Sequence, residues 1–154
     1  MIKVQRKDFD YGWEVATLSE GNAGVGGVCA FSGLVRDMAG DRQIDSMTLE
    51  HYPGMTENSL AELETEAHSR WPLEKTLIIH RYGRLEPGDQ IVLVAASSAH
   101  RDAAFDACRF LIDWLKTKAP FWKLEGLGED SQWVAAKDAD TQAHDRWLND
   151  DKKE

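Results

Sequence analysis

Cations are scarce in this chain: 18 lysines and arginines stand against 27 aspartates and glutamates over 154 residues, a net charge of −9. A protein that binds nucleic acid usually needs a basic face to displace condensed counterions, so nucleic acid is not an expected partner. Cysteine is scarcer still. Cys29 and Cys108 lie far apart among apolar neighbours and form no CxxC, which argues against a disulfide framework and makes each a buried, reduced thiol. The histidines at 51, 68, 80, 100 and 144 include no i, i+4 pair, and no cysteine cluster accompanies them, so no metal is expected. No apolar run approaches the roughly 20 residues of a membrane span. The opening MIKVQRKDFD lacks the apolar stretch of a signal peptide. Together these absences predict a cytoplasmic protein without a membrane partner.

What remains is the make-up of a globular chain, 42% hydrophobic and 29% charged. Its length suits one domain, expected over residues 1–148, with the tail NDDKKE at 149–154 expected to be unstructured. Apolar period places helices at Asp10 to Leu18, with Asp8 or Asp10 as cap and Trp13, Ala16 and Leu18 inward, and from Ser59 to Trp71, with Ser59 and Glu62 as a capping box and Pro72 as the stop. A third helix follows Ser97 to Arg101, buries Phe105, Cys108, Ile112 and Leu115, and must end near Lys118 because of Pro120. A last helix is expected at Asp140 to Leu148.

Strands are read from β-branched runs. Thr76 to Leu85 and Gln90 to Ala96 flank Glu86-Pro87-Gly88-Asp89, a turn whose Pro-Gly centre suits type II, so they should pair antiparallel. IVLVAA is apolar on both sides of its pleat and is expected to be central. The glycine-rich GNAGVGGVCAFSGLVR fits neither GxGxxG nor the P-loop, and reads as a strand with close backbone contacts. Gln43 to Tyr52 is expected to pair back on it in a hairpin through Ala39-Gly40-Asp41. Glu125 to Ser131 reads as a polar loop and Gln132 to Ala136 as a short apolar piece. Helices interleaved with hairpins define an α+β fold.

Against the acidic background, Ser97 to Leu124 stands out, with five cations (Arg101, Arg109, Lys116, Lys118, Lys123) and three aspartates, a surplus of two. His100 and Arg101 fall at the start of a helix, where free N–H groups already favour an anion. Spacing alone leaves them open between a surface pair and a site for phosphate or carboxylate. Lys116 shares its stripe with Asp102, Asp106, Arg109 and Asp113, which by periodicity makes it a solvated residue at a helix C-terminus. Lys123 follows Pro-Phe-Trp, and is either a snorkelling stem or a partly desolvated lysine able to serve as a base or a close anion contact. Arg36 ends the run FSGLVR, where its guanidinium can project into a site. Of the six tryptophans, Trp122 beside Lys123 is the one expected to serve a site rather than a core.

Four segments in order, LEHYPGMTE, HRYGRLEPGD, SSAHRDAAF and LKTKAPFWK, resemble the large, catalytic subunit of molybdopterin synthase, and the likeness runs from about Trp13 to Trp147. The resemblance implies an α/β hammerhead with an additional antiparallel β subdomain. It implies sulfur transfer from the C-terminal thiocarboxylate of a small ubiquitin-like subunit to cyclic pyranopterin monophosphate, forming a dithiolene, within a heterotetramer built on a central homodimer. No cofactor is implied. Carried over by motif, Lys116 and Lys123 are the catalytic lysines. Arg36, His100 and Arg101 contact substrate, flanked by Leu34, Val35, Leu124 and Glu125. Leu124 replaces a second basic residue and Lys137 an arginine, which puts phosphate contacts from the C-terminal part in doubt.

Two other classes compete. A non-catalytic dimeric scaffold would grip the partner's tail without chemistry, against which both lysines weigh. A hydrolase using His100 as base lacks a paired serine or cysteine nucleophile nearby in sequence. Helix length separates His100-Arg101 from Lys116 by some 20 Å or more, so a compact site is expected to draw on two chains.

Overall fold

The strand predicted to be central has neighbours on both sides. In this computed structural model, which describes residues 1–127, 130–134 and 138–150, β8 (Gln90–Ser98) lies between β6 (Leu73–Arg81) and β2 (Gly27–Leu34), and β1 (Ile2–Gln5) completes the order β1-β6-β8-β2. β1 pairs parallel with β6, and the other neighbours are antiparallel. Alternation along β6 and β8 divides the core. Ile78, Val92 and Val94 face the helices α2 (Met55–Arg70) and α3 (Arg101–Lys118), packing with Leu60, Phe110 and Leu111. Leu77, Ile79, Leu93 and Ala95 face the other way onto Phe9 and Leu18. Each fully buried Leu, Ile or Val contributes about 1.5–3 kcal/mol, which is why β8 is apolar throughout from Ile91 to Ala96.

A second antiparallel sheet has the order β10-β9-β5-β7, from β5 (Ser46–His51), β7 (Gly83–Leu85), β9 (Phe121–Leu127) and β10 (Asp130–Val134). Its own core joins Met47, Leu49 and Leu85 to Val35 and Ile44. The last described helix is α4 (Asp138–Asp150). Helices laid on one mixed sheet, with an added antiparallel sheet beside it, form the α+β arrangement expected. Among the described residues no helix is long and apolar enough to cross a membrane.

The differences from expectation have physical causes. Gln43 to Tyr52 does not pair back on β2. The hairpin is confined to β3 (Met38–Ala39) and β4 (Arg42–Gln43), and β5 instead pairs with β7 and β9, covering the apolar side chains of Met47 and Leu49. Thr76 to Leu85 is not one strand, because β7 leaves β6 to join the second sheet. The turn between it and β8 is as predicted: Gly88 has φ 92°, and the Asp89 N–H donates to the Glu86 carbonyl at 3.0 Å. Helix α2 starts four residues early, capped by the Glu57 carboxylate, which accepts from the Gly54 N–H at 2.6 Å, and not by Ser59 and Glu62.

In α1 (Tyr11–Ala16) Asp10 is the cap, accepting from the Trp13 N–H, but Trp13 is 63% exposed. The inward position belongs to Glu14, whose burial is made tolerable by Lys3 at 2.6 Å. In α3, Phe105 is exposed rather than buried and Ile112 is half-buried. The inward face runs through Ala104, Ala107, Cys108, Leu111 and Leu115, one position off Phe105. Glu125 to Leu127 is strand, not loop, with Glu125 and Gly126 paired to β5 and Leu127 to β10. Helix α4 takes in Asn149 and Asp150, the first two residues of the expected tail. Lys137 and residues 151–154 lie outside the described residues. Cys108 is buried, its thiol donating to the Val94 carbonyl at 3.6 Å, while Cys29 is only half-buried. Burial pushes the Cys108 thiol well up, and neighbouring Cys29 adds to it, so Cys108 is not an activated nucleophile.

Candidate active site

Where the first sheet, the second sheet and the end of α3 meet, they leave a cavity of about 580 Å³. Three chain segments deliver its cations. Arg36 follows the end of β2, where the backbone of Val35 is pinned to the turn by two hydrogen bonds, its N–H to the Asp89 carbonyl at 2.9 Å and its carbonyl from the Gly88 N–H at 2.8 Å. Lys116 stands on the last turn of α3, which Pro120 ends by forcing Ala119 to an extended ψ of 138°. Lys123 is on β9, paired to Leu49 across the second sheet. All three line the cavity, and all three also line an adjoining hollow of about 200 Å³.

One carboxylate answers them. Glu125 is buried, lines the smaller hollow and holds an oxygen 3.5 Å from Lys123 Nζ. The rest of the larger wall is mostly apolar and aromatic, with Leu34, Phe121 and Trp122 on it, and Ser32, Thr117 and His80 are its other polar residues. Trp122, the aromatic expected to serve a site, lines the larger cavity and makes a tilted ring contact with Tyr52 at 4.5 Å. A separate hollow of about 440 Å³ between α2 and α3 holds none of the predicted site residues.

The structure thus gathers Leu34, Arg36, Lys116, Lys123 and Glu125. It does not gather the others. Val35 is 3% exposed and packs in the core of the second sheet, serving to aim Arg36. Leu124 pairs with Thr48 and Trp133 and lines neither hollow. His100 is the N-cap of α3, and the Arg101 side chain is 85% exposed, its Nε 4.0 Å from Asp102 Oδ1. Fifteen helical residues, at about 1.5 Å each, keep this pair more than 20 Å from Lys116. The approach of β2 to that helix start is close. A Cβ on Gly26 would meet the Ala99 carbonyl oxygen at 2.1 Å, so no larger residue fits there.

One wall residue was not singled out from the sequence. His80 lies on β6, on the same face as Ile78, is 5% exposed and lines the larger cavity. Its ring stacks on Phe121 with centroids 3.7 Å apart and planes at 15°. Burial, together with the nearby charges of His51 and Lys116, lowers its pKa to about 4, against an opposing hydrogen bond to the Arg81 carbonyl. It is therefore neutral at pH 7. The signal was a histidine inside an apolar strand run, on the face that α3 covers.

A cavity with three convergent cations, a neutral imidazole and an aromatic wall suits a planar ligand bearing negative charge. Comparison with known proteins identifies the family. The family model described as MoaE protein matches residues 4–118. The molybdopterin synthase catalytic subunit of Mesorhizobium japonicum is 51% identical over 148 residues, covering 95% of this chain and 92% of the relative. Among solved structures, the molybdopterin biosynthesis MoaE protein of Burkholderia ambifaria superposes with a TM-score of 0.82 at 46% identity, covering 96% of this chain and 97% of that one. A protein–protein complex of subunits 1 and 2 of the molybdopterin-converting factor of Helicobacter pylori shares the fold, with a TM-score of 0.73 at 18% identity, covering 88% of this chain and 91% of that one. Matched by its family model over residues 4–118 and by a half-identical relative over 95% of its length, this chain belongs to the MoaE family of molybdopterin synthase catalytic subunits.

Proposed function

We propose that the Arg36–Lys116–Lys123 cavity is where this chain carries out the sulfur transfer of molybdopterin synthesis. The donor is the C-terminal thiocarboxylate of a small ubiquitin-like subunit and the acceptor is cyclic pyranopterin monophosphate. The observation that carries this reading is the convergence of three cations, from three separate segments, on the junction of two hollows. Donor and acceptor are both anionic, and in each transfer a C–S bond forms on the substrate in place of a C–O bond while water cleaves the C–S bond of the tail, leaving the tail a carboxylate. Fixed ammonium groups stabilise the charge that moves between them. Lys116, exposed at the mouth, faces the thiocarboxylate. Lys123, half-buried and held by Glu125, orients the pterin or passes a proton.

The family name carried by the relative supports this, and so does the Helicobacter pylori protein, which was solved with its second subunit. The reaction is placed in the cytoplasm, where Cys29 and Cys108 stay reduced.

His100 and Arg101 enter the site from a second copy of the chain. Two facts support a dimer-built site: the length of α3, and the free edge of β2, where Val28, Phe31 and Leu34 are 38%, 40% and 54% exposed. Mixing the chain with thiocarboxylated partner and the cyclic precursor is expected to yield the dithiolene product. A bound tail without product would make the chain a scaffold instead.

A further inference from the structure

The proposed reading accounts for the anionic parts of the substrate and assigns no acceptor to the hydrogen-bond donors of the pterin. A pterin also carries N–H groups, on its amide, its exocyclic amine and its reduced ring, and the cations, being donors only, cannot pair with them. On the wall of the larger cavity the ionisable side chains, among the described residues, are Arg36, Lys116, Lys123 and His80. Three of these are donors at neutral pH.

His80 is the exception, and its ring is fixed in every respect that matters. Nδ1 lies 2.8 Å from the Arg81 carbonyl oxygen. A carbonyl only accepts, so Nδ1 carries the hydrogen, and in a neutral ring Nε2 is then a bare acceptor. Stacking on Phe121 sets the plane of the ring, and pairing of its backbone with Val4 and Val92 sets its height in the sheet. Burial at 5% exposure keeps bulk water from competing for it. The charges of His51 on β5 and of Lys116 on α3 both disfavour protonation, so the ring keeps its lone pair where the neighbouring cations gather.

Resting on the reading above, we infer that His80 is a specificity-determining residue, whose Nε2 accepts a hydrogen bond from an N–H of the pterin ring. It complements the cations that hold the phosphate and the thiocarboxylate. A site built to pair a donor rejects molecules in which that donor is missing, and loses affinity when its acceptor is removed.

The test uses the complete chain with the cyclic precursor as probe, without thiocarboxylated partner, so that no turnover occurs. His80→Phe keeps an aromatic ring against Phe121 and removes the acceptor. It is expected to bind precursor about tenfold more weakly, while His80→Gln, which keeps an acceptor, stays within about threefold of the wild type. Affinity for the partner's tail is expected to be the same in all three. Wild-type affinity for precursor in folded His80→Phe overturns the inference. A second measurement needs no variant: in wild-type protein labelled with ¹⁵N-histidine, the His80 Nε2 resonance, assigned through its backbone, is expected to shift when precursor saturates the site. An unmoved resonance also overturns it. Failure of wild-type protein to bind precursor at all strikes instead at the proposed function, so the two failures are distinguishable.

Discussion

Glu125 Oε1 lies 3.5 Å from Lys123 Nζ, with the carboxylate side chain 8% exposed and the lysine 32% exposed. The pair joins neighbouring residues but one on β9, so it fixes the lysine against the floor of the smaller hollow. A buried carboxylate without its cation would be costly, and a lysine without its carboxylate would swing into solvent. Glu125→Gln keeps a hydrogen-bond acceptor and removes the charge. It is expected to lower stability by about 1 kcal/mol and to slow product formation by about tenfold. Urea unfolding and the dithiolene assay check these. An unchanged rate would show that Lys123 needs no such anchor.

His80 makes stability depend on pH in a defined window. Its folded pKa of about 4 lies below the ordinary 6.5, because burial and the charges of His51 and Lys116 disfavour its protonated form. Between those values the unfolded chain binds the extra proton, so stability from this group is full above about pH 6.5 and falls as the pH drops toward 4. The total is on the order of 3 kcal/mol. Compared by urea unfolding across pH 4 to 7, His80→Phe is expected to show a shallower fall than the wild type. Parallel curves would contradict the assignment.

A dimer-built site permits complementation between two dead variants. Arg101→Ala retains Lys123, and Lys123→Ala retains Arg101, so a mixed dimer restores one complete site of its two. After unfolding and refolding an equal mixture, about a quarter of wild-type activity is expected, since half the dimers are mixed and each has one working site. No recovery, with mixed dimers shown to have formed, would place all the residues of a site in one chain.

How much of this was legible beforehand follows from the range of the interactions. β8 announced itself because a strand covered on both faces is apolar throughout. The end of α3 was written in Pro120, and the turn before β8 in Pro87-Gly88. All are local. The second sheet was not legible, because β5 finds its partners in β7 and β9, the latter some 70 residues downstream, and no turn chemistry records such a pairing. Phe105 and Trp13 misled because an apolar residue one position off the inward face has the same period as the face itself. At the site, periodicity assigned Lys116 to solvent, and in one sense rightly, since it is exposed. Only the fold, by carrying Arg36 and Lys123 to the same helix end, makes that exposure a cavity mouth. The resemblance supplied that grouping, but neither it nor the period pointed to His80.

The most direct test of the account is dithiolene formation from thiocarboxylated partner and cyclic precursor by purified wild-type, Lys116→Ala and Lys123→Ala chains. Lys116 is exposed, so Lys116→Ala is expected to unfold at the wild-type urea concentration, while Lys123→Ala, which leaves the buried Glu125 without its cation, is expected to unfold at a lower one but to stay folded in the assay, and both are expected to remain able to bind the partner's tail. If the two ammonium groups stabilise the charge that moves during transfer, each variant loses about 100-fold or more in rate. Full product formation by the Lys123→Ala chain would contradict the account.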